Sequence, residues 1–246
     1  MPWWDKLALG KYGLSKKDLE MMEHVPHPDD IEYMLTVEEE SKNIYNLPLA
    51  LAADSLDLGN TIAQKTPGVP PERLRQVGGF LVEDSVESHK LQFRQALDFL
   101  VPDGTTVFAA ADGIVTEIIE ENDKWGPTEQ FADFQNRITI KHSNGEYSQY
   151  IHLEKGSVSQ LIDLNQPSKQ NIVDGFGNKI NRIDVSAGEP IARVGKTGWT
   201  DRDHLHFMVF RMLSSAEMHE RNNQPPNWKS LKPRFIEDEI SANTEL

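Results

Sequence analysis

The sequence predicts a mainly β protein, an antiparallel barrel or sandwich, with an N-terminal helical extension. Short segments that alternate apolar and polar residues, separated by glycine turns, dominate the chain from Phe80 onward, where helical patterns are few. In the first third of the chain, apolar residues instead recur at helical spacing. We therefore divide the chain into a helical, acidic extension (1–79), a β-rich domain (80–236) and an acidic tail (237–246).

The extension carries three candidate helices. Ser15 is a candidate N-cap for a helix over residues 16–22, and Pro28 is placed to begin a second one. A third apolar segment covers residues 47–62 with helical spacing. The acidic run at residues 38–40 indicates a solvated face, and the proline-rich stretch at residues 67–71 indicates a linker.

The β-rich domain is predicted from several short strands. Asn144-Gly145 between two alternating segments is typical of a hairpin turn. Residues 120–135 and 157–184 are predicted to be long polar loops, which often form functional rims. The predicted strands cover residues 107–110, 114–119, 137–142, 147–153, 190–194 and 204–211.

Composition excludes several classes of function. The chain of 246 residues has 25 basic and 39 acidic residues and a net charge of −14, which argues against sequence-independent binding to nucleic acid or to an anionic membrane surface. It has no cysteine, so a zinc site would need histidine and carboxylate ligands. No segment approaches the length of an integral membrane helix, and no secretory signal is visible.

Two histidines and an aspartate stand out as candidate functional residues. His204 and His206 alternate with apolar residues in a predicted strand, so both imidazoles lie on one face, where they suit a metal ion or a proton transfer. A chance His-x-His pair on an ordinary strand is the alternative. Asp98 lies among apolar residues, where a carboxylate is costly unless it is paired or bound to a cation. A buried Asp that holds an arginine or caps a turn is its alternative.

Two further histidines are candidates with weaker patterns. His152 shares a strand face with Tyr150, and a packed or surface histidine is the common interpretation of such a position. His89 lies in a loop-like stretch before the segment of Asp98. Neither position by itself indicates chemistry.

Five segments in order resemble the lysostaphin-type, or LytM-like, zinc metallopeptidases. The likeness extends over roughly residues 85–212, and five blocks in family order make an accidental similarity improbable. The matching blocks are Ala96–Phe99 with Pro102–Val107, Ala109–Val115, His142–Leu153, Ala187–Gly198 and His204–Phe207.

The resemblance implies a zinc endopeptidase that hydrolyses peptide bonds in peptidoglycan stem peptides or cross-bridges. Carried over by position, Asp98 and His206 are zinc ligands, and His152 and His204 are the catalytic pair beside the attacked carbonyl. The implied fold is a compact, mostly antiparallel β domain with an open groove. A catalytic zinc takes three protein ligands and keeps one position for water, so a third ligand is needed.

The chain departs from the family pattern at the third ligand. The family has a histidine four residues before the aspartate, where this chain has Arg94, and a guanidinium cannot bind zinc. His89, nine residues before Asp98, is the nearest upstream substitute and is our candidate third ligand. The approach to His204 also differs, since two acids and an arginine replace small residues between Trp199 and His204.

Two other interpretations stay open from the sequence. Arg94 favours a catalytically degenerate relative that acts as a peptidoglycan-binding or hydrolase-activating module. Alternatively, the acidic residues between Glu20 and Glu40 contact a basic partner, although they have the pattern of a solvated helix face. A wall-cutting role implies an extracytoplasmic location despite the absence of a visible signal, and the sequence leaves the oligomeric state open.

Overall fold

The structure is a computed structural model that describes residues 35–237 except positions 36, 66, 87, 165–181, 222 and 224. The predicted helix over residues 16–22, the start of the second helix at Pro28, and the tail beyond residue 237 lie outside the described residues. The predicted fold class is confirmed, because antiparallel strands dominate the described part.

The described part contains fourteen strands, and ten of them form one sheet. The strands are β1 (Glu40–Tyr45), β2 (Leu74–Val77), β3 (Phe80–Glu83), β4 (Leu97–Phe99), β5 (Thr106–Phe108), β6 (Gly113–Ile119), β7 (Trp125–Gly126), β8 (Arg137–Lys141), β9 (Glu146–Ile151), β10 (Asp184–Val185), β11 (Pro190–Arg193), β12 (Gly198–Trp199), β13 (Leu205–Met212) and β14 (Trp228–Phe235).

The main sheet has the order β10-β6-β8-β9-β13-β4-β3-β2, with β14 beside β13 and β1 beside β14. Only the pair of β1 and β14 is parallel among its described pairs. Two smaller pairs, β5 with β11 and β7 with β12, lie outside the main sheet. Strand β13 is central, because β9 pairs along one side of it and β4 and β14 share the other.

Helices are few and short in the described part. The α-helices are α1 (Ser55–Ala63), α2 (Ser157–Leu161) and α3 (Ser215–Glu220). The 3-10 helices are Pro71–Arg73, Leu91–Phe93 and Glu129–Phe134. Helix α3 begins with a capping box, in which Ser214 and Glu217 satisfy each other's backbone N–H groups.

The hydrophobic core lies against one face of β13. Leu205, Phe207 and Val209 point into the largest buried cluster, which also contains Phe99 and Tyr150. The alternate residues of β13 lie on the opposite face, where Met208 and Phe210 pack in a smaller cluster. His206 belongs to this second set, so the pleat of β13 directs it away from the main core.

The chain before residue 80 differs from the predicted helical extension where it is described. α1 confirms a helix within the predicted segment over residues 47–62. Glu40, in contrast, begins β1, and both β1 and β2 join the main sheet. The pairing of β1 with the distant β14 overrides the local pattern there, because strand formation depends strongly on neighbouring strands, whereas β2 forms a local hairpin with β3. The three-part division of the chain remains a prediction.

Candidate metal centre

Asp98 lies in the middle of β4, between two strands that place polar groups beside it. His206 on β13 and Glu83 on β3 are its direct partners across the sheet. Residues that oppose each other in neighbouring strands direct their side chains to the same face. The sheet therefore brings His206 to Asp98, although 108 residues separate them in sequence.

His89 reaches the same point from the loop between β3 and β4. The backbone N–H of His89 donates to the carbonyl of Ser85 at 2.8 Å, which closes a turn in this loop. The side chain is 1% exposed, and its Nε2 lies 3.2 Å from Asp98 Oδ1 and 3.4 Å from His206 Nδ1. The loop thus adds a third ligand-type atom to the pair that the sheet assembles.

The three side chains fit a zinc ion. His206 Nδ1 lies 2.9 Å from Asp98 Oδ1, so each pair among the three donor atoms is separated by 2.9 to 3.4 Å. Ligands of a tetrahedral zinc at its usual bond lengths are about 3.3–3.6 Å apart. The Ser85 hydroxyl donates to the other carboxylate oxygen of Asp98, which fixes the orientation of the carboxylate. Small side-chain movements suffice to hold a cation here.

The electrostatics of the cluster depend on burial and on close opposite charges. Burial raises the pKa of the Asp98 carboxyl, but the imidazoles of His89, His204 and His206 outweigh burial and hold that pKa well below its usual range. Burial lowers the pKa of His89, yet the Asp98 carboxylate raises it overall. The Asp98 carboxylate is therefore ionised at neutral pH and has the charge that a metal ligand needs.

His152 follows β9 and is fixed by the segment around Thr197. Its backbone has a φ of 64°, a left-handed conformation that a residue other than glycine rarely adopts. Its Nδ1–H donates to the Thr197 carbonyl at 2.7 Å, which leaves Nε2 as the free ring nitrogen. Burial, followed by the nearby charges of His204 and His206, lowers the pKa of His152 well below its usual value. His152 is therefore neutral near pH 7.

Asn136 holds the turn that carries His152. Its side chain accepts from Asn122 N and donates to the carbonyls of Asn122 and Leu153, and its side chain is fully buried. Its backbone N–H donates to Thr197 Oγ1, and that hydroxyl donates to the Leu153 carbonyl. This network connects both backbone segments that contact His152.

His204 lies directly before β13, next to the metal-type cluster and to His152. Its Nδ1 lies 3.0 Å from the Arg202 carbonyl, and because a carbonyl only accepts, Nδ1 carries the proton. Its Nε2 lies 3.7 Å from Asp98 Oδ1, and the rings of His204 and His152 have centroids 4.6 Å apart. The two histidines thus present their free nitrogens beside the three candidate ligands.

Arg94 lies away from this cluster. It follows the 3-10 helix Leu91–Phe93, is exposed, and lines a separate groove with Arg75 and Lys232. The position where the family has its histidine is therefore not directed at Asp98 in this chain. His89, in contrast, places its Nε2 beside Asp98 and His206.

The cluster opens into a groove of about 540 Å³. Its floor includes Asp98, His152, His204 and His206. Its walls include the ring of Trp199 and a group of charged side chains, which are Arg73, Glu83, Asp201 and Arg202. Four of the five predicted site residues thus line one groove, whereas His89 is buried and is not among the lining residues.

Several residues of the site were not found from the sequence. Ser85, Glu83, Asn136 and Thr197 lie in segments whose local patterns indicate only loops and strands. Glu83 has a recognisable signal in retrospect, since it is a charged residue that ends an apolar run directly before the loop of His89. The contacts of Asn136 join distant segments, and no local pattern reveals them.

The fold and the cluster together define a mainly antiparallel β domain with a histidine and carboxylate cluster that could hold a metal ion. Residues 92–166 match the family model described as peptidase family M23. The motifs that resemble the lysostaphin-type peptidases lie within and after this range, so the likeness to peptidase family M23 concerns the β-rich part of the chain.

Curated relatives are similar to this chain over part of their length. The DD-carboxypeptidase/endopeptidase Mpg of Neisseria meningitidis is 28% identical over 148 residues, which are 54% of this chain and 27% of that protein. The peptidoglycan DD-endopeptidase ShyC of Vibrio cholerae is 25% identical over 171 residues, which are 70% of this chain and 30% of that protein. The chain thus spans less than a third of the length of these relatives.

Solved structures of zinc peptidases also resemble the chain. A zinc-containing peptidase from Vibrio cholerae is 22% identical, with a TM-score of 0.32, over 55% of this chain and 33% of that one.

In the described ranges of the present chain, each helix is too short or too polar to cross a bilayer.

Proposed function

We propose that this chain is a zinc-dependent endopeptidase that hydrolyses peptide bonds in peptidoglycan stem peptides or cross-bridges. The observation that carries the proposal is the convergence of His89 Nε2, Asp98 Oδ1 and His206 Nδ1 within 3.4 Å of one another. Two neutral imidazoles and one carboxylate are a ligand set that zinc uses in hydrolytic enzymes.

His89, Asp98 and His206 would hold the zinc. When bound at such a site, zinc supplies Lewis acidity and lowers the pKa of water toward neutrality. The Ser85 hydroxyl keeps the Asp98 carboxylate oriented through its other oxygen. The role of these four residues is therefore to bind the metal and to keep its open position directed at the groove.

His204 is the general base in this proposal. Because its Nδ1–H is donated to the Arg202 carbonyl, its Nε2 lone pair is free to accept a proton from the attacking water. Thr200 Oγ1 lies 3.3 Å from the same Nδ1 and adds a second contact to the ring edge. The backbone contact thus selects the tautomer that proton abstraction requires.

His152 stabilises the developing oxyanion or donates a proton to the leaving amine. In its neutral form Nε2 is an acceptor, because Nδ1–H is donated to Thr197. It becomes a donor, to the oxyanion or to the leaving amine, only after it gains a proton. The proton available to it is the one that His204 takes from the water, because the two rings have centroids 4.6 Å apart. The lowered pKa of His152 favours rapid release of that proton to the leaving group.

The names of the relatives support a peptidoglycan substrate. ShyC is named a peptidoglycan DD-endopeptidase, and Mpg is named a DD-carboxypeptidase/endopeptidase. A substrate of this kind implies that the chain acts outside the cytoplasm. The open groove is consistent with a peptide that crosses the site in an extended conformation.

Cleavage of purified peptidoglycan fragments tests the proposal. We expect the zinc-loaded chain to release peptides, a chelator to abolish release, and added zinc to restore it. Asp98→Asn, which keeps the shape of the ligand but removes its charge, is the matched control and should be inactive. Cleavage that is indifferent to the chelator would remove the zinc mechanism, and an absence of cleavage by zinc-loaded protein would remove the peptidase function.

A further inference from the structure

One wall of the groove is a row of four charged side chains of alternating sign. Arg73 Nη2 donates to Glu83 Oε1 at 2.7 Å, and Arg202 Nε lies 3.6 Å from Glu83 Oε2. Arg202 in turn binds Asp201 with two parallel hydrogen bonds, from Nε at 2.7 Å and from Nη2 at 2.8 Å. Two positive and two negative charges therefore balance each other along this wall.

Arg202 has unused donors in this row. Its side chain is nine-tenths buried, at 9% exposure of the residue, and it lines the groove. The Nη1 atom, which carries two N–H groups, has no hydrogen-bond partner among the described residues. Buried guanidinium nitrogens in folded proteins are normally hydrogen-bonded, so an orphaned one beside a groove indicates a missing acceptor.

The row lies next to the reacting centre. Glu83, which contacts both arginines, is the direct cross-strand partner of Asp98. The Arg202 carbonyl accepts the proton of His204 Nδ1, so Arg202 is two residues from the proposed base and fixed to it by its backbone. An acceptor bound at Nη1 would therefore be part of a substrate whose scissile bond is close by.

We propose that Arg202 forms a subsite for a carboxylate group of the peptide substrate, adjacent to the bond that is cut. This inference rests on the proposed peptidase function for the identity of its ligand. Arginine is suited to the role because its planar fork binds carboxylates through charge-assisted hydrogen bonds. The four charged side chains of the row have no net charge before the ligand binds. The attraction for a carboxylate therefore comes from the directed N–H donors of Arg202, and the subsite selects ligands by their shape and by the kind of acceptor that they present.

The chain itself supports a specific role for this arginine. Asp201 occupies one edge of the guanidinium fork and holds it in one plane, while Glu83 lies behind it with a side-chain exposure of 7%. With Nε and Nη2 held by Asp201, Nη1 is the nitrogen of the fork that has no hydrogen-bond partner among the described residues. A peptide carboxylate can come from a free C-terminus or from an acidic side chain, and the two sources share this recognition chemistry.

Binding of small peptides to the full chain tests the subsite. We would use chelator-treated protein, because a carboxylate could otherwise coordinate the metal and because hydrolysis is then silent. The probes are acetyl-D-alanyl-D-alanine, its C-terminal amide, and acetyl-D-glutamyl-D-alanine amide, with Kd measured by calorimetry. We expect one of the two acidic probes to bind about tenfold more tightly than the amide, and which of them does so identifies the source of the carboxylate.

Variants assign the preference to Arg202. In Arg202→Gln the acidic and neutral probes should bind within about twofold of each other, and Arg202→Lys should give an intermediate ratio because it keeps the charge and loses the fork. Arg75→Gln, which removes the same charge from the exposed groove on the other side of β2, is the matched control and should keep the wild-type ratio. Circular dichroism establishes that each variant is folded.

Two results would overturn the inference. One is equal affinity of the wild-type chain for all three probes, and the other is an Arg202→Gln chain that keeps the full preference. Binding is measured without hydrolysis, so these results are separate from a failure of the proposed function. A chain that binds acidic probes through Arg202 but cleaves no peptide would retain the subsite and lose the peptidase assignment.

Discussion

At the scale of single residues, His89 distinguishes this chain from the family pattern. It supplies the third donor of the cluster from a loop, whereas the usual position holds the exposed Arg94. We expect His89→Ala to lower bound zinc from about one ion per chain to a small fraction, because two ligands hold zinc poorly. Metal analysis of the purified, dialysed variant measures this loss.

Arg94→Ala is the matched control for that experiment. Its side chain lines a different groove, so the variant should keep the zinc content of the wild-type chain. Loss of zinc in Arg94→Ala with retention in His89→Ala would reverse our assignment of the third ligand.

Asn136 is the residue on which the turn of His152 depends. Asn136→Ala would leave the backbone N–H and carbonyl of Asn122 without these partners and would remove one of the two donors to the Leu153 carbonyl, so we expect a loss of about 1–3 kcal/mol in the free energy of unfolding. Urea denaturation measures this change. Asn122→Ala is the matched control, because only its backbone contacts Asn136, and it should change stability by less than about 0.5 kcal/mol. Equal losses in the two variants would contradict this account of the network.

The sequence predicted the chemistry-bearing residues better than their supports. Alternation along a strand correctly placed His206 on the face away from the core, and the burial of Asp98 among apolar neighbours was anticipated from its segment. Thr197 orients His152 through its backbone carbonyl. Every residue has this group, so the residue type at position 197 does not predict the contact. Likewise, the contact of Ser85 with Asp98 depends on how a loop folds back.

At the scale of elements, Arg211 connects β13 to α3 and to the segment before β1. It donates to both carboxylate oxygens of Glu217 and to both of Glu39. The hydrogen bonds from Arg211 lower the pKa of Glu217 to about 2. Because the folded-state pKa lies below the unfolded value of 4.5, the stabilisation is present above pH 4.5 and is lost as the pH falls toward 2.

Glu217→Gln tests this contact through its pH dependence. We expect the variant to be less stable than the wild-type chain by about 1 kcal/mol at pH 6, a value reduced for solvent screening because both side chains are partly exposed. The difference should shrink below pH 3, as measured by urea denaturation at several pH values. Glu220→Gln, at an exposed carboxylate of the same helix, is the control. A difference that stays constant with pH would show that Glu217 acts through helix capping alone.

Gly195 allows the segment after β11 to approach the turn of His152. Its N–H donates to the His152 carbonyl at 2.8 Å, and a Cβ atom at this position would lie 2.6 Å from Glu154 N. We expect Gly195→Ala to cost about 1–3 kcal/mol, since backbone atoms would have to move, and thermal denaturation measures it. Gly68→Ala is the control, because its nearest contact would be an ordinary 3.6 Å. Similar stability of both variants would contradict the close approach.

Elements were predicted where pairing is local. Residues 137–142 and 147–153 with the Asn144-Gly145 turn appear as the hairpin β8–β9, because alternation and turn chemistry act over a few residues. The strands β1, β2 and β14 were not predicted, and β2 is an exception to this rule because it forms a short hairpin with β3. β14 contains Pro233 and several charged residues, so it lacks the pattern of a central strand, and its pairing with β1 joins positions about 190 residues apart.

At the scale of the whole molecule, the sheet brings the site together from four separate stretches of chain. His89 and Asp98 come from the β3–β4 region, His152 follows β9, and His204 and His206 belong to the start of β13. The sequence indicated that these residues share a site only through the order of the motifs. The distances among them depend on register, which the hydrophobic pattern of short strands constrains weakly.

The location of zinc in a crystal of the full chain tests the central proposal most directly. Anomalous scattering at the zinc edge identifies the ion and its ligands together. We predict one ion bonded to His89 Nε2, Asp98 Oδ1 and His206 Nδ1 at about 2.0–2.2 Å, with a fourth position open to the groove. A zinc-soaked crystal with no ion at these atoms, or with an ion bound by other side chains, would contradict the account.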